Sequence, residues 1–419
     1  MRTRTERMVA LLLALALLLG LPTLAHGREI VVEPGSAVPT LAAALAMAVD
    51  GDVIRVRPGV YAEGEHLIDR RLTLVGEGWP VLDGGGRSTV LRVTADGVRI
   101  RGFVLRGAGA SHVRENAAIR FDRVRGCVAE GNRMEDNFFG VYLAKTVDCV
   151  VYGNVIRATG RREATSGNGI HLWNARGTRI ERNAIRGHRD GIYLEHSSGG
   201  MLRGNRSEGN LRYGLHFMFS SDNAYVENTF RHNGAGAAVM YSRAVRMEGN
   251  RFEDNWGSAA YGLLLKEISD SEIVGNRFHR NTVAIYSEGT SGVRIDGNDF
   301  RRNGWAVKVM SNARENRFTG NNFVDNSFDV ATNTRRNPNH FAGNFWSRYT
   351  GHDLDRDGAG DVPHRPVRLF SLVVERHPAA MVLLRSLFVD LLDVAERVVP
   401  ALTPETLLDA TPRMREVPL

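Results

Sequence analysis

The sequence predicts an all-β protein: a right-handed parallel β-helix (a solenoid) with an N-terminal cap and a C-terminal amphipathic helix. The prediction rests on two repeats. A Gly-Asn or Glu-Asn step recurs at Asn132, Asn154, Asn205, Asn228, Asn250, Asn276, Asn298 and Asn321, mostly 22 or 23 residues apart, with Arg182-Asn183 as a variant. A second asparagine follows five residues later at Asn137, Asn210, Asn233, Asn255, Asn281, Asn303 and Asn326, and a Phe two residues later at Phe230, Phe252, Phe278, Phe300 and Phe323. A fixed period of this length marks a unit that buries its apolar face only by stacking on its neighbours. Asparagine tolerates the left-handed backbone of a sharp bend, and its amide can bond to the one above and below. Helical 3.6-residue spacing is absent within the repeats, which excludes a helical solenoid.

The elements follow in chain order. Residues 1–27 read as an export signal: Arg2, Arg4 and Arg7, an apolar run over 9–21, then Ala25-His26-Gly27, with cleavage expected near Arg28. A membrane anchor is the competing reading, but Pro22 ends an apolar run too short to span a bilayer comfortably. Residues 28–75 form a cap and the first rungs, with an amphipathic helix over 40–49 covering an otherwise open hydrophobic edge. Residues 76–348 hold the repeats, 349–370 an Asp/Gly/Pro-rich linker, and 371–419 a helical docking segment. Within it, residues 378–399 carry an apolar face at helical spacing (Leu384, Leu387, Phe388, Leu391, Leu392, Ala395, Val398), either a cap or a docking surface for a partner or membrane.

In 419 residues, 54 Lys and Arg stand against 47 Asp and Glu, a net charge of +7. The arginines are scattered along the repeats rather than gathered into a stripe with aromatics, which argues against nucleic acid as a partner. Cys127 and Cys149 are one repeat apart and should stack in one inward column, either as a disulfide or as two reduced, apolar-packed thiols.

A second strand of each rung aligns as Gly140-Val-Tyr-Leu143, Gly169-Ile-His-Leu172, Gly191-Ile-Tyr-Leu194, Gly214-Leu-His-Phe217 and their successors. Alternation turns the first and third residues after glycine inward and leaves two outward columns. One begins Tyr142, His171, Tyr193, His216; the next reads Ala144, Trp173, Glu195, Met218, Met240, Lys266, Glu288, Met310. Met218 and Met240 fall on consecutive rungs, about 4.8 Å apart, with His216 two residues away. Thioethers with imidazole are ligands suited to cuprous copper. The alternative is a surface covered by a partner or by the C-terminal segment, since methionine makes adaptable contacts. Asp353, Asp355, Asp357 and Asp361 with Gly358 resemble the start of a calcium loop, but His364 replaces the closing glutamate; a solvated acidic turn is the other reading, and either is structural.

With these repeats, the segments Tyr213-Gly-Leu-His-Phe-Met-Phe-Ser220, Gly343-Asn-Phe-Trp-Ser347 and Asp353…Gly360-Asp-Val-Pro-His-Arg-Pro366 make the chain resemble the NosD family. The resemblance implies a periplasmic, non-enzymatic accessory protein for assembling the copper centres of nitrous oxide reductase. It would act with an ABC transporter and a copper chaperone, docking its C-terminal helix on the membrane subunits. Copper contact would fall on His216, Met218 and Met240, with His171 the weaker candidate; this ligand set is inferred from the columns rather than from the family. Competing readings are a polysaccharide lyase or epimerase using Asp190, Glu195, His196 and Lys266, which show no convergent spacing, and a purely structural or adhesive solenoid.

Overall fold

The computed structural model describes residues 27–399 and 407–418, apart from 112, 161, 258–259, 335–336 and 385. The expected export signal lies almost wholly outside these residues. Among them, no helix is long and apolar enough to cross a membrane.

Each rung crosses three parallel sheets in turn, A (14 strands), B (13 strands) and C (12 strands). The rung at Val128–Glu130, Arg133–Glu135 and Phe139–Ala144 is representative. Strands of A and B are mostly three residues long, with the middle residue buried and its neighbours outward. The buried column of B reads Leu105, Met134, Ile156, Ile185 and Ser207 before becoming Phe230, Phe252, Phe278, Phe300, Phe323 and Trp346. From Phe230 these rings stack face to face at 5.4, 4.8, 4.9, 4.9 and 4.1 Å. The rung spacing thus sets a stacking distance that large flat side chains satisfy.

The asparagine ladders bind rung to rung. Asn276 is typical: its backbone N and Nδ2 donate to Asn298 Oδ1 at 2.9 and 3.0 Å, and Nδ2 also donates to Met247 O at 2.9 Å. The amide satisfies bend groups that would otherwise be buried without partners. One expectation is corrected. The left-handed backbone lies not at the ladder asparagine but at the residue before it, such as Gly131, Arg182, Glu227 and Gly275. This leaves asparagine extended and aimed inward, and explains why glycine usually precedes it. Cys127 and Cys149 are buried on adjacent rungs with their sulfurs bonded, the disulfide of the two open alternatives.

The N-terminal cap is helix α1, Leu41–Met47, which buries Leu41 and Ala44. Thr40 Oγ1 accepts from Ala43 N at 3.1 Å, and the Glu63 carboxylate takes the Leu41 and Ala42 N–H groups. Arg70 donates to the Leu45 and Ala48 carbonyls at the other end. Side chains from later rungs therefore satisfy both helix termini.

The C-terminal region departs from expectation in two ways. A helix α2 (Leu369–Arg376) comes first, and the single helix expected over 378–399 is broken into a 3-10 stretch (Pro378–Leu383) and α3 (Leu387–Val398). Proline cannot donate to the preceding turn, and Ser386 is extended. Helix α2 buries Phe370 and Val374 against Phe328, and Lys308 pairs with Glu375 at 2.8 Å. Residues 407–418 are not helical but seat on the last rungs, where Asp409 takes the next place in the asparagine ladder. Its Oδ2 accepts from Asn344 N (3.0 Å), Asn344 Nδ2 (3.0 Å) and Trp346 Nε1 (3.1 Å), and its Oδ1 from Gly343 N (3.1 Å). An acceptor-only side chain suits a final step that has no further rung to donate to. The segment expected as a linker is also built into this end: His364 and Asp409 exchange backbone hydrogen bonds, and Val367 bridges to Val330.

Candidate metal centre on sheet C

Sheet C carries the longer strands, and its outer face presents the columns read from the sequence. Tyr142 lies opposite His171, then Tyr193, His216 and Ala238; Ala144 opposes Trp173, then Glu195, Met218 and Met240. Lys266 and Glu288 continue the second column, while Met310 falls just beyond its strand. The glycine opening each strand is enforced by close approach. A Cβ on Gly214 would meet the Gly236 carbonyl oxygen at 2.6 Å, so this bend stays tight and the next four side chains keep register.

The first column is an alternating Tyr–His stack. Ring centroids are 4.8 Å apart for Tyr142–His171, 4.7 Å for His171–Tyr193 and 4.6 Å for Tyr193–His216, and Tyr213 closes on His216 at 4.8 Å. Both histidines are buried although they face outward. Burial and the neighbouring Arg189 hold the His171 ring well below the usual range, at about 3, so it is neutral at pH 7.

The two imidazoles are held in opposite senses. Asp190, fully buried, accepts from Arg212 Nε and Nη2 at 2.9 and 2.6 Å, and its Oδ2 lies 3.4 Å from His216 Nδ1. Burial alone would raise the Asp190 carboxyl, but the hydrogen bonds from Arg212 and His216 bring it down to about 2. The carboxylate faces Nδ1 of His216, so Nδ1 is the nitrogen that donates to it and Nε2 points to the other side of the ring. This is the arrangement in which a carboxylate orients a metal-ligating histidine. His216 Nε2 is buried with no hydrogen-bond partner. At His171 the Asn168 amide nitrogen faces Nδ1 at 3.3 Å, so Nδ1 accepts and Nε2 carries the proton.

The structure therefore separates the predicted ligands. His216, Met218 and Met240 lie together: Met218 is two residues along the same strand face, about 7 Å away, and Met240 is its partner on the next rung. His171 stands two rungs off with Tyr193 between, about 9 Å from His216 by rung spacing, too far to share one ion. The half-buried thioethers and one oriented imidazole offer a soft donor set.

Asp353, Asp355 and Asp357 converge, with one oxygen from each within 4.8 Å of the others. Asp361 is not in that set and accepts from Leu354 N at 2.6 Å, and the other three accept from backbone N–H groups of residues 357–359. Of the residues considered for glycan chemistry, Asp190 is locked by Arg212. Glu195 and Lys266 sit three rungs apart in the second column, and His196 stacks on Phe219 at the next bend. Sequence reasoning missed Arg212 and the Phe219–Tyr241 ring pair. Arg212 directly follows the tight B–C bend at Asn210-Leu211, and a charge one 22-residue period after Asp190 was the available signal.

The NosD family, described as a periplasmic copper-binding protein, matches residues 156–351. Over 161 residues the chain is 35% identical to the probable ABC transporter binding protein NosD of Pseudomonas aeruginosa, covering 36% of this chain and 37% of that one. The protein of the same description from Stutzerimonas stutzeri is 31% identical over 139 residues, covering 33% of this chain and 32% of that one. The matched stretches thus span about a third of these relatives' lengths. Among solved structures, the A-module of the Azotobacter vinelandii mannuronan C-5 epimerase AlgE6 superposes with a TM-score of 0.60 at 15% identity, covering 74% of this chain and 94% of that one. The α-1,3-glucanase of Streptomyces thermodiastaticus gives 0.58 at 15%, covering 79% and 71%. At that identity they share the β-helix fold with it. The stretch that matches the NosD family, residues 156–351, contains His216, Met218 and Met240.

Proposed function

We propose that this chain is a periplasmic, non-catalytic accessory protein that handles cuprous copper during assembly of the copper centres of nitrous oxide reductase, together with an ABC transporter and a copper chaperone. Copper is cargo here, held by His216 Nε2 and the thioethers of Met218 and Met240. The observation that carries the reading is the buried, unpartnered Nε2 of His216, whose Nδ1 faces the Arg212-held Asp190 carboxylate. The family description and the relatives' names support copper and a transporter as the setting. Helix α3 is the proposed docking element for the membrane subunits: Leu387, Leu391 and Val398 are 75%, 60% and 74% exposed along one helical stripe.

The test is an anaerobic titration of cuprous ion into the exported chain against a competing chelator. One ion per chain is expected, with affinity at least about tenfold weaker in His216→Ala, Met218→Leu and Met240→Leu, a loss of about 1.4 kcal/mol or more. Unchanged affinity in all three variants sinks the site.

A further inference from the structure

The outer face of sheet C is interrupted beside His216, and one small residue makes the interruption. From Arg92 to Lys308 the column that holds His216 carries a large side chain on every rung but one, where Ala238 stands. The stack of Tyr142, His171, Tyr193 and His216 stops there. Tyr193 covers one face of the His216 imidazole, with the two ring planes 23° apart. The other face is turned to the next rung, which offers the methyl group of Ala238 where the column would otherwise place another ring.

Register makes a square of four side chains, with His216 and Met218 on one rung and Ala238 and Met240 on the next. Three corners carry soft donors and the fourth takes up almost no space. Leu264 resumes the column one rung later, about 10 Å from His216 by rung spacing. Ala238 is 0% exposed, so water does not reach the floor of this gap, and His216 Nε2 on the rung before is buried without a hydrogen-bond partner. An ion that enters must leave its hydration water behind. The electrostatic cost of that step rises with the square of the charge, so it is about four times larger for a divalent than for a monovalent ion of the same size. Met218 and Met240 carry no charge to offset it, and the Asp190 charge is met by Arg212. Glu195 lies on the far side of Met218 from the gap.

We propose that Ala238 is the specificity-determining residue of the copper site: it ends the ring stack and leaves a dry gap, one rung deep, that admits a bare, soft, monovalent cation and refuses a divalent one. The inference rests on the copper reading above and adds what sets the choice of ion.

The test is an anaerobic competition titration of the exported chain with cuprous ion, silver(I) and cadmium(II), the last a soft ion of higher charge. The parent and Ala238→Ser are expected to bind one cuprous or silver ion per chain, and cadmium about a hundredfold or more weaker. Ala238→Leu and Ala238→Phe keep all three donors but fill the gap, and each is expected to weaken both monovalent ions about tenfold or more. In metal-free Ala238→Phe the His216 Hε1 resonance is expected to move upfield, because the new ring extends the stack over it. Three results overturn this inference and leave the copper reading standing: folded Leu and Phe variants that bind like the parent, cadmium bound by the parent as tightly as silver, or an unmoved Hε1 resonance. The cadmium arm uses the parent and holds even where a filled variant does not fold. A parent that binds neither monovalent ion overturns both.

Discussion

The rungs from Asn228 to Trp346 and those from Ala117 to Met218 are built on the same backbone and differ in what they repeat. In the later rungs both asparagine ladders are continuous to Asn326, and sheet B buries an unbroken column of rings ending on Trp346. In the earlier rungs that column is Met134, Ile156, Ile185 and Ser207, and the second ladder is interrupted by Thr159 and His188. Of the described residues with an unpartnered buried side-chain nitrogen, Arg120, His171, His188, Arg189 and His216 lie in this earlier half and only Arg231 and Trp305 in the later one. Identical stacking satisfies the ladder amides by repetition. Where the repeat is broken, polar groups are left available to something other than the chain, and function is expected where local rules are violated.

The largest expected effect comes from breaking the regular half. Phe278 is sandwiched between Phe252 and Phe300, and Phe278→Ala should cost about 3–5 kcal/mol in chemical denaturation. A loss below about 1 kcal/mol would mean the ring column is not packed as a unit. Next is the end of the ladder. Asp409→Ala strands the Asn344, Trp346 and Gly343 donors, and about 2–4 kcal/mol is expected. Asp409→Asn keeps one acceptor oxygen and should lose roughly half as much.

The irregular half should instead be exposed by acid. Burial holds the His171 ring at about 3 and the His188 ring at about 4, against about 6.5 unfolded. Between those values the unfolded chain binds more protons, so stability is complete above about pH 6.5 and falls as the pH drops. A loss on the order of 1–2 kcal/mol per histidine is expected at pH 5. Asp329 works the other way: burial raises its carboxyl to about 6, so its contribution falls as pH rises from about 4 to 6. His188→Asn, which restores a ladder residue whose backbone N–H already donates to Asn210, should remove one histidine's share of the acid loss. An identical pH profile in that variant would show His188 is not held neutral. The smallest effect is on the outer face: Met240→Leu should change stability by less than about 1.5 kcal/mol while weakening cuprous binding, and a large destabilisation would make Met240 a packing residue instead.

Much of this was legible in the residue order. The ladder positions, the phenylalanine column, the stacked cysteines and both outward columns of sheet C follow from a period of 22–23 residues with strict alternation inside it, because a one-residue slip would turn the core outward. The C-terminal end was not legible. Periodicity over 378–399 resembles one helix, yet Pro378 and the extended Ser386 divide it, and Asp409 shows no repeat around it that would announce a ladder step.

The sequence by itself determined the rungs, their register and which side chains share a face, since parallel stacking converts position in the repeat directly into position in space. Only the tertiary structure decided which partner meets Nδ1 of each of the two histidines. Asp190 and Arg212 come to His216 from two different rungs, and Asn168 reaches His171 from an inserted loop. Those contacts are set by folded distances, and they separate a nitrogen that offers a lone pair from one that offers a proton.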